Sequence, residues 1–154
     1  MLITFEVSIL IRRPVKEVFE FVADGRKGSK WNSAVVEVRK ISEGSIGMGT
    51  KYWMARELPS GRAENTFEII EYEPEKKLTV KITSGPTPFV YHYRFEPVEN
   101  GTILSMTAEA EKKGLIEVLG TKARIAPESL LATFVKRGVE ENFKTLKNLL
   151  ESSR

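Results

Sequence analysis

Residues 127 to 150 carry the feature that most limits what this chain can fold into. Pro127-Glu128 opens the stretch, and Leu131, Phe134, Val135, Val139, Phe143, Leu146, Leu149 and Leu150 follow at helical three- and four-residue spacing. Lys136, Arg137, Glu140, Glu141, Lys144 and Lys147 fall on the opposite face. A helix this long and apolar on one side is stable only against a second apolar surface, because propensity alone does not hold it. The remainder of the chain must therefore supply that surface. Gly138 interrupts the helix at a cost of about 1 kcal/mol relative to Ala. Either close packing or a bend that adjusts the space beneath the helix accounts for it.

The complementary surface is written in period two. Phe5, Val7, Ile9 and Ile11 alternate with Glu6, Ser8 and Leu10, as a half-buried strand requires. Arg13-Pro14 stops that strand, and Pro14 suits the first turn of a helix whose stripe is Val15, Val18, Phe19 and Val22. Ala23-Asp24-Gly25 closes it, and Arg26 to Trp31 forms a second short helix. Ala34 to Ile41 reads as a strand, followed by the Gly44–Gly49 turn. From Thr50 to Glu111, strands recur at hairpin spacing, separated by Pro59-Ser60-Gly61, Glu73-Pro74-Glu75, Gly85-Pro86-Thr87-Pro88 and Asn100-Gly101. The pattern predicts one α+β domain over residues 1–154, an antiparallel meander covered by the C-terminal helix.

Two turns allow a register to be assigned. Asn100-Gly101 as a two-residue type I′ loop pairs Phe95 with Met106, Tyr93 with Ala108 and Tyr91 with Ala110. These residues then share one face, while His92, Arg94, Thr107 and Glu109 share the other. Pro59-Ser60-Gly61 as a type I turn with a bulge at Gly61 pairs Leu58 with Arg62 and Trp53 with Phe67, both on the inner face. A two-residue loop would place Tyr52 there instead.

Several chemistries are excluded by residue type. Cysteine is absent, which removes disulfides, thiolate catalysis and Cys-ligated metals. His92 is the sole histidine, so no site with two or more histidine ligands exists, and its place beside Arg94 marks it as a surface partner of Glu109. Gly44–Gly49 lacks the Gly-Lys-Ser/Thr ending of a phosphate loop and joins two strands, so it is read as a turn. The net charge of +3 arises from 24 basic and 21 acidic residues that are interspersed. A nucleic-acid interface gathers its positive charge on one face, so none is expected. In Met1 to Arg13 the basic pair follows the apolar residues, where a secretory leader places it before them, and the stretch is too short to span a bilayer. A cytoplasmic protein without membrane insertion is the expectation.

The order of elements now resembles a known family. Ile11-Arg-Arg-Pro-Val-Lys-Glu-Val-Phe19, Trp31, Gly47-Met-Gly-Thr50 and Glu71-Tyr-Glu-Pro-Glu-Lys-Lys-Leu78 carry the resemblance, with Asn100-Gly-Thr102 and Leu146-Lys-Asn-Leu-Leu-Glu151. Together they are similar to the START/Bet v 1-like helix-grip superfamily, which includes polyketide cyclase/dehydrase-like proteins. The resemblance spans nearly the whole chain. It implies a curved seven-stranded antiparallel sheet around a long C-terminal helix, with two short helices between strands 1 and 2. It also implies an internal cavity whose mouth borders the Gly44–Gly49 turn.

Within such a cavity, Trp53, Phe67, Tyr91, Tyr93, Met106, Phe134 and Phe143 are the expected ligand-lining residues. Tyr91 and Tyr93 bring hydroxyls to an apolar face, and Asn65, with Thr66 or Ser105, adds further polar groups according to register. An apolar pocket with a few convergent polar groups is how small-molecule sites are built. The first reading is a carrier or sensor of a small hydrophobic ligand, lipid-like or polycyclic. It needs no cofactor, no metal and no catalytic residue. A cyclase or dehydratase is the alternative, for which Tyr91, Tyr93, Glu64 or Glu68 would have to act as acid or base. A third is a co-chaperone-like module binding protein through its convex face. Gly114 to Ala126, apolar with little regular support, is expected to act as a lid over a mouth shared with Gly44–Gly49 and Gly85–Pro88.

Overall fold

The computed structural model describes residues 2–86, 88–119 and 127–152. Seven antiparallel strands form one sheet in the order β1-β7-β6-β5-β4-β3-β2. They are β1 (Leu2–Ile11), β2 (Val35–Lys40), β3 (Lys51–Leu58), β4 (Gly61–Glu73), β5 (Lys77–Ser84), β6 (Val90–Val98) and β7 (Gly101–Glu111). Between β1 and β2 lie α1 (Val15–Ala23), a 3-10 turn (Gly25–Lys27) and α2 (Gly28–Trp31). After β7 come α3 (Lys112–Leu119) and the long α4 (Glu128–Ser152). This is the helix-grip arrangement, with α4 laid along the inner face of the sheet. Pro14 occupies the position before α1, and Asp24 caps the following 3-10 turn through the Arg26 N–H at 3.1 Å.

The inner face is formed by alternate residues of every strand. Ile3, Val7 and Ile11 of β1 and Leu104, Met106, Ala108 and Ala110 of β7 are buried there. From α4, Leu131, Phe143, Leu146 and Leu150 are buried against them, with Val135 and Val139 half-buried. α1 closes one end of the core, where Phe19 meets Phe95 and Tyr72 edge to face at 4.9 and 5.3 Å. The C-terminal end of α4 is tied to β1: Lys147 donates to the Leu10 carbonyl at 2.6 Å, and the Arg12 N–H donates to Glu151 at 2.8 Å.

Both assigned hairpins differ from expectation, β6–β7 by a shift of its two-residue loop and β3–β4 by a loop one residue shorter. In the β6–β7 hairpin, Val98 pairs with Gly101, so the loop is Glu99-Asn100 and Tyr93 faces Met106 instead of Ala108. The displacement is two residues, which preserves every face. Gly101 is needed for another reason than the loop: a Cβ there would lie 2.2 Å from the Ile11 carbonyl oxygen. In the β3–β4 hairpin, Leu58 pairs with Gly61, Tyr52 with Phe67 and Trp53 with Thr66. The odd displacement turns Tyr52 inward and Trp53 outward.

Two further expectations are corrected. Residues 112–119 form α3 and so have regular backbone structure, while the remainder of the expected lid, from residue 120 to Ala126, lies outside the described residues. A Cβ added at Gly138 would meet nothing within 4 Å, so close packing is not the reason for that glycine.

Candidate functional site

Between the inner face and the middle of α4 the core is incomplete. The gap encloses about 130 Å³. A dry apolar cavity of about 150 Å³ takes a benzene-sized guest, so this space accommodates roughly one ring. Its floor is the sheet: Tyr52 and Met54 of β3, Phe67 and Ile69 of β4, Val80 and Ile82 of β5, Tyr91 and Tyr93 of β6, and Met106 of β7. Its roof is Val139, Asn142 and Phe143 of α4, and its outer wall is Val22 to Gly25, Gly28, Trp31, Asn32, Val35 and Val38. The wall is joined to the roof where the Ser33 N–H donates to Asn142 Oδ1 at 3.2 Å and Trp31 approaches Phe143 with ring centroids 6.1 Å apart.

The aromatic floor is ordered by stacking. Tyr52 and Phe67, paired across β3 and β4, lie face to face with centroids 4.9 Å apart. Tyr52 is fully buried under Gly25, whose added Cβ would stand 3.0 Å from the tyrosine ring. Its hydroxyl makes no well-formed hydrogen bond among the described residues, and burial pushes the phenol up, with a smaller opposing effect from the Gly25 backbone.

The polar part of the site is unusual for an apolar cavity. Arg56 points inward from β3 and is only 7% exposed. Its Nε donates to Asn65 Oδ1 at 2.9 Å, and an Nη donates to the Pro86 carbonyl at 3.3 Å. Asn65 in turn donates to the Ser84 and Pro86 carbonyls at 3.0 and 2.7 Å, fixing the β5–β6 turn around the guanidinium. Gly85 makes this possible, since its φ is +89° and a Cβ would lie 2.2 Å from the Glu64 carbonyl oxygen. Burial pulls Arg56 below its ordinary value, and Tyr91 opposes that effect. Tyr91 and Tyr93 retain some accessible area, but they line the cavity and protein surrounds them as fully as core groups. Burial pushes both phenols well above the ordinary value of 10.0, with Arg56 opposing the shift at Tyr91 and Tyr91 adding to it at Tyr93. Both are therefore neutral hydrogen-bond donors throughout the physiological range. Asp24 also lines the cavity. Burial alone would raise its carboxyl, but hydrogen bonds from Arg26 outweigh that and hold it below the ordinary range.

Of the residues expected to line the cavity, Phe67, Tyr91, Tyr93, Met106 and Phe143 do so. Trp53 does not: on the outer face its ring lies 5.3 Å from the Arg39 guanidinium, and its Nε1 donates to Glu64 at 3.3 Å. Nor does Phe134, which is 61% exposed because the inward stripe of α4 runs through Leu131, Val135 and Val139. Among the described residues, neither Gly44–Gly49 nor the β5–β6 turn lines the cavity, but the turn touches its wall through the bonds of Arg56 and Asn65 to the Pro86 carbonyl. Tyr52 lines the cavity as the two-residue-loop alternative requires. Arg56, Trp31, Asp24 and Asn142 were not anticipated at the site, and the observed β3–β4 register would have revealed Arg56.

His92 lies on the outer face, bonded through Nε2 to Glu109 at 3.0 Å and through Nδ1 to Thr79 at 3.3 Å. No group of three or more acidic, His or Cys side chains among the described residues is arranged to hold a metal. No helix among them is long and apolar enough to cross a membrane.

A curved sheet gripping a long helix over a largely apolar cavity defines the START/Bet v 1-like class. The chain belongs to the polyketide cyclase / dehydrase and lipid transport family, whose model matches residues 3–151. No curated protein matches the sequence. Among solved structures, a START superfamily protein from Mycobacterium smegmatis is similar at TM-score 0.78 and 10% identity, covering 97% of this chain and 98% of that one. The aromatase/cyclase Zhui from Streptomyces sp. R1128 is similar at TM-score 0.76 and 15% identity, covering 98% and 94%. The di-domain aromatase/cyclase StfQ of the steffimycin biosynthetic pathway is similar at TM-score 0.78 and 17% identity; 99% of this chain is covered but only 51% of StfQ, about half its length. Identities this low establish a shared fold.

Proposed function

We propose that this protein encloses a small hydrophobic ligand between its sheet and α4 and acts as a cytoplasmic carrier or sensor. The observation that carries the reading is the cavity: about 130 Å³ of apolar space where a core of this kind would otherwise be packed solid. Six aromatic side chains, Trp31, Tyr52, Phe67, Tyr91, Tyr93 and Phe143, supply flat apolar area at its walls. Apolar burial there contributes affinity at about 25 cal/mol per Å² of surface removed from water. The buried hydroxyls and Arg56 orient the ligand's polar end.

The competing cyclase or dehydratase reading needs a proton acceptor poised near neutrality. Tyr91 and Tyr93 are pushed away from that range by burial, and Asp24 is held below it by Arg26. Glu64 and Glu68 belong to the outward-facing residues of β4. The lining favours holding over reacting. The outer face pairs its charges locally, Arg94 with Glu6 and Arg39 with Glu37 at 2.9 and 2.7 Å, which suits neither a nucleic-acid backbone nor an apolar protein partner.

Calorimetric titration with one-ring aromatic compounds tests the proposal. Binding with a negative heat-capacity change is the expected result, and it should weaken in Phe143→Ala. Native mass spectrometry that finds only apoprotein, together with no heat across such a series, overturns it.

A further inference from the structure

We infer that the ligand is an uncharged aromatic carbonyl compound of about one ring, its carbonyl oxygen accepting hydrogen bonds from Tyr91 and Tyr93. The inference rests on the proposed ligand-binding role and adds the chemical class. Its warrant is what the polar groups of the cavity wall have left to offer. Tyr91 and Tyr93 are alternate residues of β6 and line the floor together. Neither hydroxyl has a hydrogen-bond partner among the described residues, and no hydrogen bond opposes the upward shift of either phenol. A buried hydroxyl ordinarily finds a partner, and phenylalanine would fill the same space with nothing polar to desolvate. A ligand acceptor supplies the reason for two tyrosines here.

The side-chain acceptors on the wall are by contrast engaged. Asn142 Oδ1 accepts from the Ser33 N–H at 3.2 Å and Asn32 Oδ1 from the Ala34 N–H at 3.1 Å. Asp24 accepts from the Arg26 guanidinium through both oxygens, at 2.8 and 2.9 Å. A phenol can also accept, but each acceptance leaves its own hydrogen unplaced, whereas a carbonyl oxygen has two lone pairs and brings no proton. Neither sign of charge is favoured. Arg56 and Asp24 both line the cavity and both are held by protein groups, so an ionised ligand meets a like charge and must still shed its hydration. The floor is ordered in advance: Phe89 meets the Tyr91 ring edge to face at 5.5 Å, and Tyr93 stands between Leu78 and Met106 of the neighbouring strands. Little side-chain freedom is therefore lost on binding.

The test is calorimetric titration of acetophenone and of α-methylstyrene, which replaces the carbonyl oxygen by a methylene at nearly the same shape. Both are titrated into the full chain and into Tyr91→Phe/Tyr93→Phe. The substitutions should weaken acetophenone relative to α-methylstyrene about fivefold or more, the effect of neutral hydrogen bonds lost from a desolvated site. A smaller change in that ratio, or binding of α-methylstyrene without acetophenone, overturns the inference and leaves the ligand-binding role standing. Benzoate binding the unaltered protein more tightly than acetophenone at pH 7 has the same consequence. Failure of all three compounds to bind removes both. Infrared spectra of acetophenone bound to the unaltered protein decide the matter even where the variant does not fold. A carbonyl stretch lowered from its frequency in an alkane is expected, and an alkane-like frequency overturns the inference.

Discussion

A methyl group added at Gly101 would lie 2.2 Å from the Ile11 carbonyl oxygen, on a backbone whose φ is +147°. Gly101→Ala must therefore move the end of β1 or strain the β6–β7 turn, and strain of this kind costs about 1–3 kcal/mol. Gly47→Ala is the matched control: nothing lies within 4 Å of its Cβ position, and stability should change by no more than about 0.5 kcal/mol. Urea denaturation of the two variants checks the contrast, and equal midpoints would refute it. The buried tyrosines make a separate prediction. Their folded-state values lie above the unfolded value of 10.0, so the stability they contribute is complete below pH 10 and declines as pH rises toward the folded values. The slope is at most about 1.4 kcal/mol per pH unit for each group. Thermal melts between pH 9 and about 11.5 should show a steeper loss in the unaltered protein than in Tyr91→Phe/Tyr93→Phe.

At the scale of elements, the β3–β4 hairpin shows what one residue of register decides. With Leu58 opposite Gly61, Tyr52, Met54 and Arg56 point into the cavity, and Trp53 faces outward toward Arg39 and Glu64. A displacement of one residue would exchange the sets, turning Trp53, Ala55 and Glu57 inward and Arg56 to the outer face. The two tryptophans consequently report on different places. Trp31 lines the cavity and Trp53 does not, so a bound ligand should alter the emission of Trp53→Phe and leave that of Trp31→Phe nearly unchanged. The opposite pattern would place the ligand elsewhere. The link between Ser33 and Asn142 joins the α2–β2 connection to α4 across the outer wall. Asn142→Ala should speed ligand dissociation several-fold and raise amide exchange around residues 32–35, with the equilibrium fold intact. Unchanged dissociation would move the access route away from this wall.

For the molecule as a whole, α4 is both roof and stabiliser. Leu131, Phe143, Leu146 and Leu150 are buried on the sheet, and at about 1.5–3 kcal/mol each their burial is comparable with the whole net stability of a domain, about 5–15 kcal/mol. A chain ending at residue 126 should lose its cooperative thermal transition, and a sharp melt by circular dichroism would contradict this. The same helix explains why a cavity persists in an otherwise packed core. Its Leu146 and Leu150 end is secured to β1 through Lys147 and Glu151, while its middle, at Val139, Asn142 and Phe143, roofs the cavity. Gripping at one end and spanning at the middle leaves the space that the ligand is proposed to fill.

The sequence by itself determined the parts that depend on periodicity. The alternation of β1, the apolar stripe of α1, the turn-punctuated meander and the amphipathic α4 are local patterns, and each specifies an element without reference to its neighbours. The inward face of β6 and β7 was legible too, because the two-residue error in that hairpin leaves the parity of side chains unchanged. What only the tertiary structure decided depends on parity across a turn or on rotation of a helix. Pro59-Ser60-Gly61 is compatible with loops that differ by one residue, so Trp53 and Tyr52 compete for the inner face until the chain packs. The stripe of α4 is wide enough for Phe134 to belong to either edge, and docking on the sheet leaves it in solvent. Arg56 escaped notice for the same reason: an arginine in a strand is ordinarily read as outward-facing, and its burial follows from a register and a braced turn that long-range contacts establish.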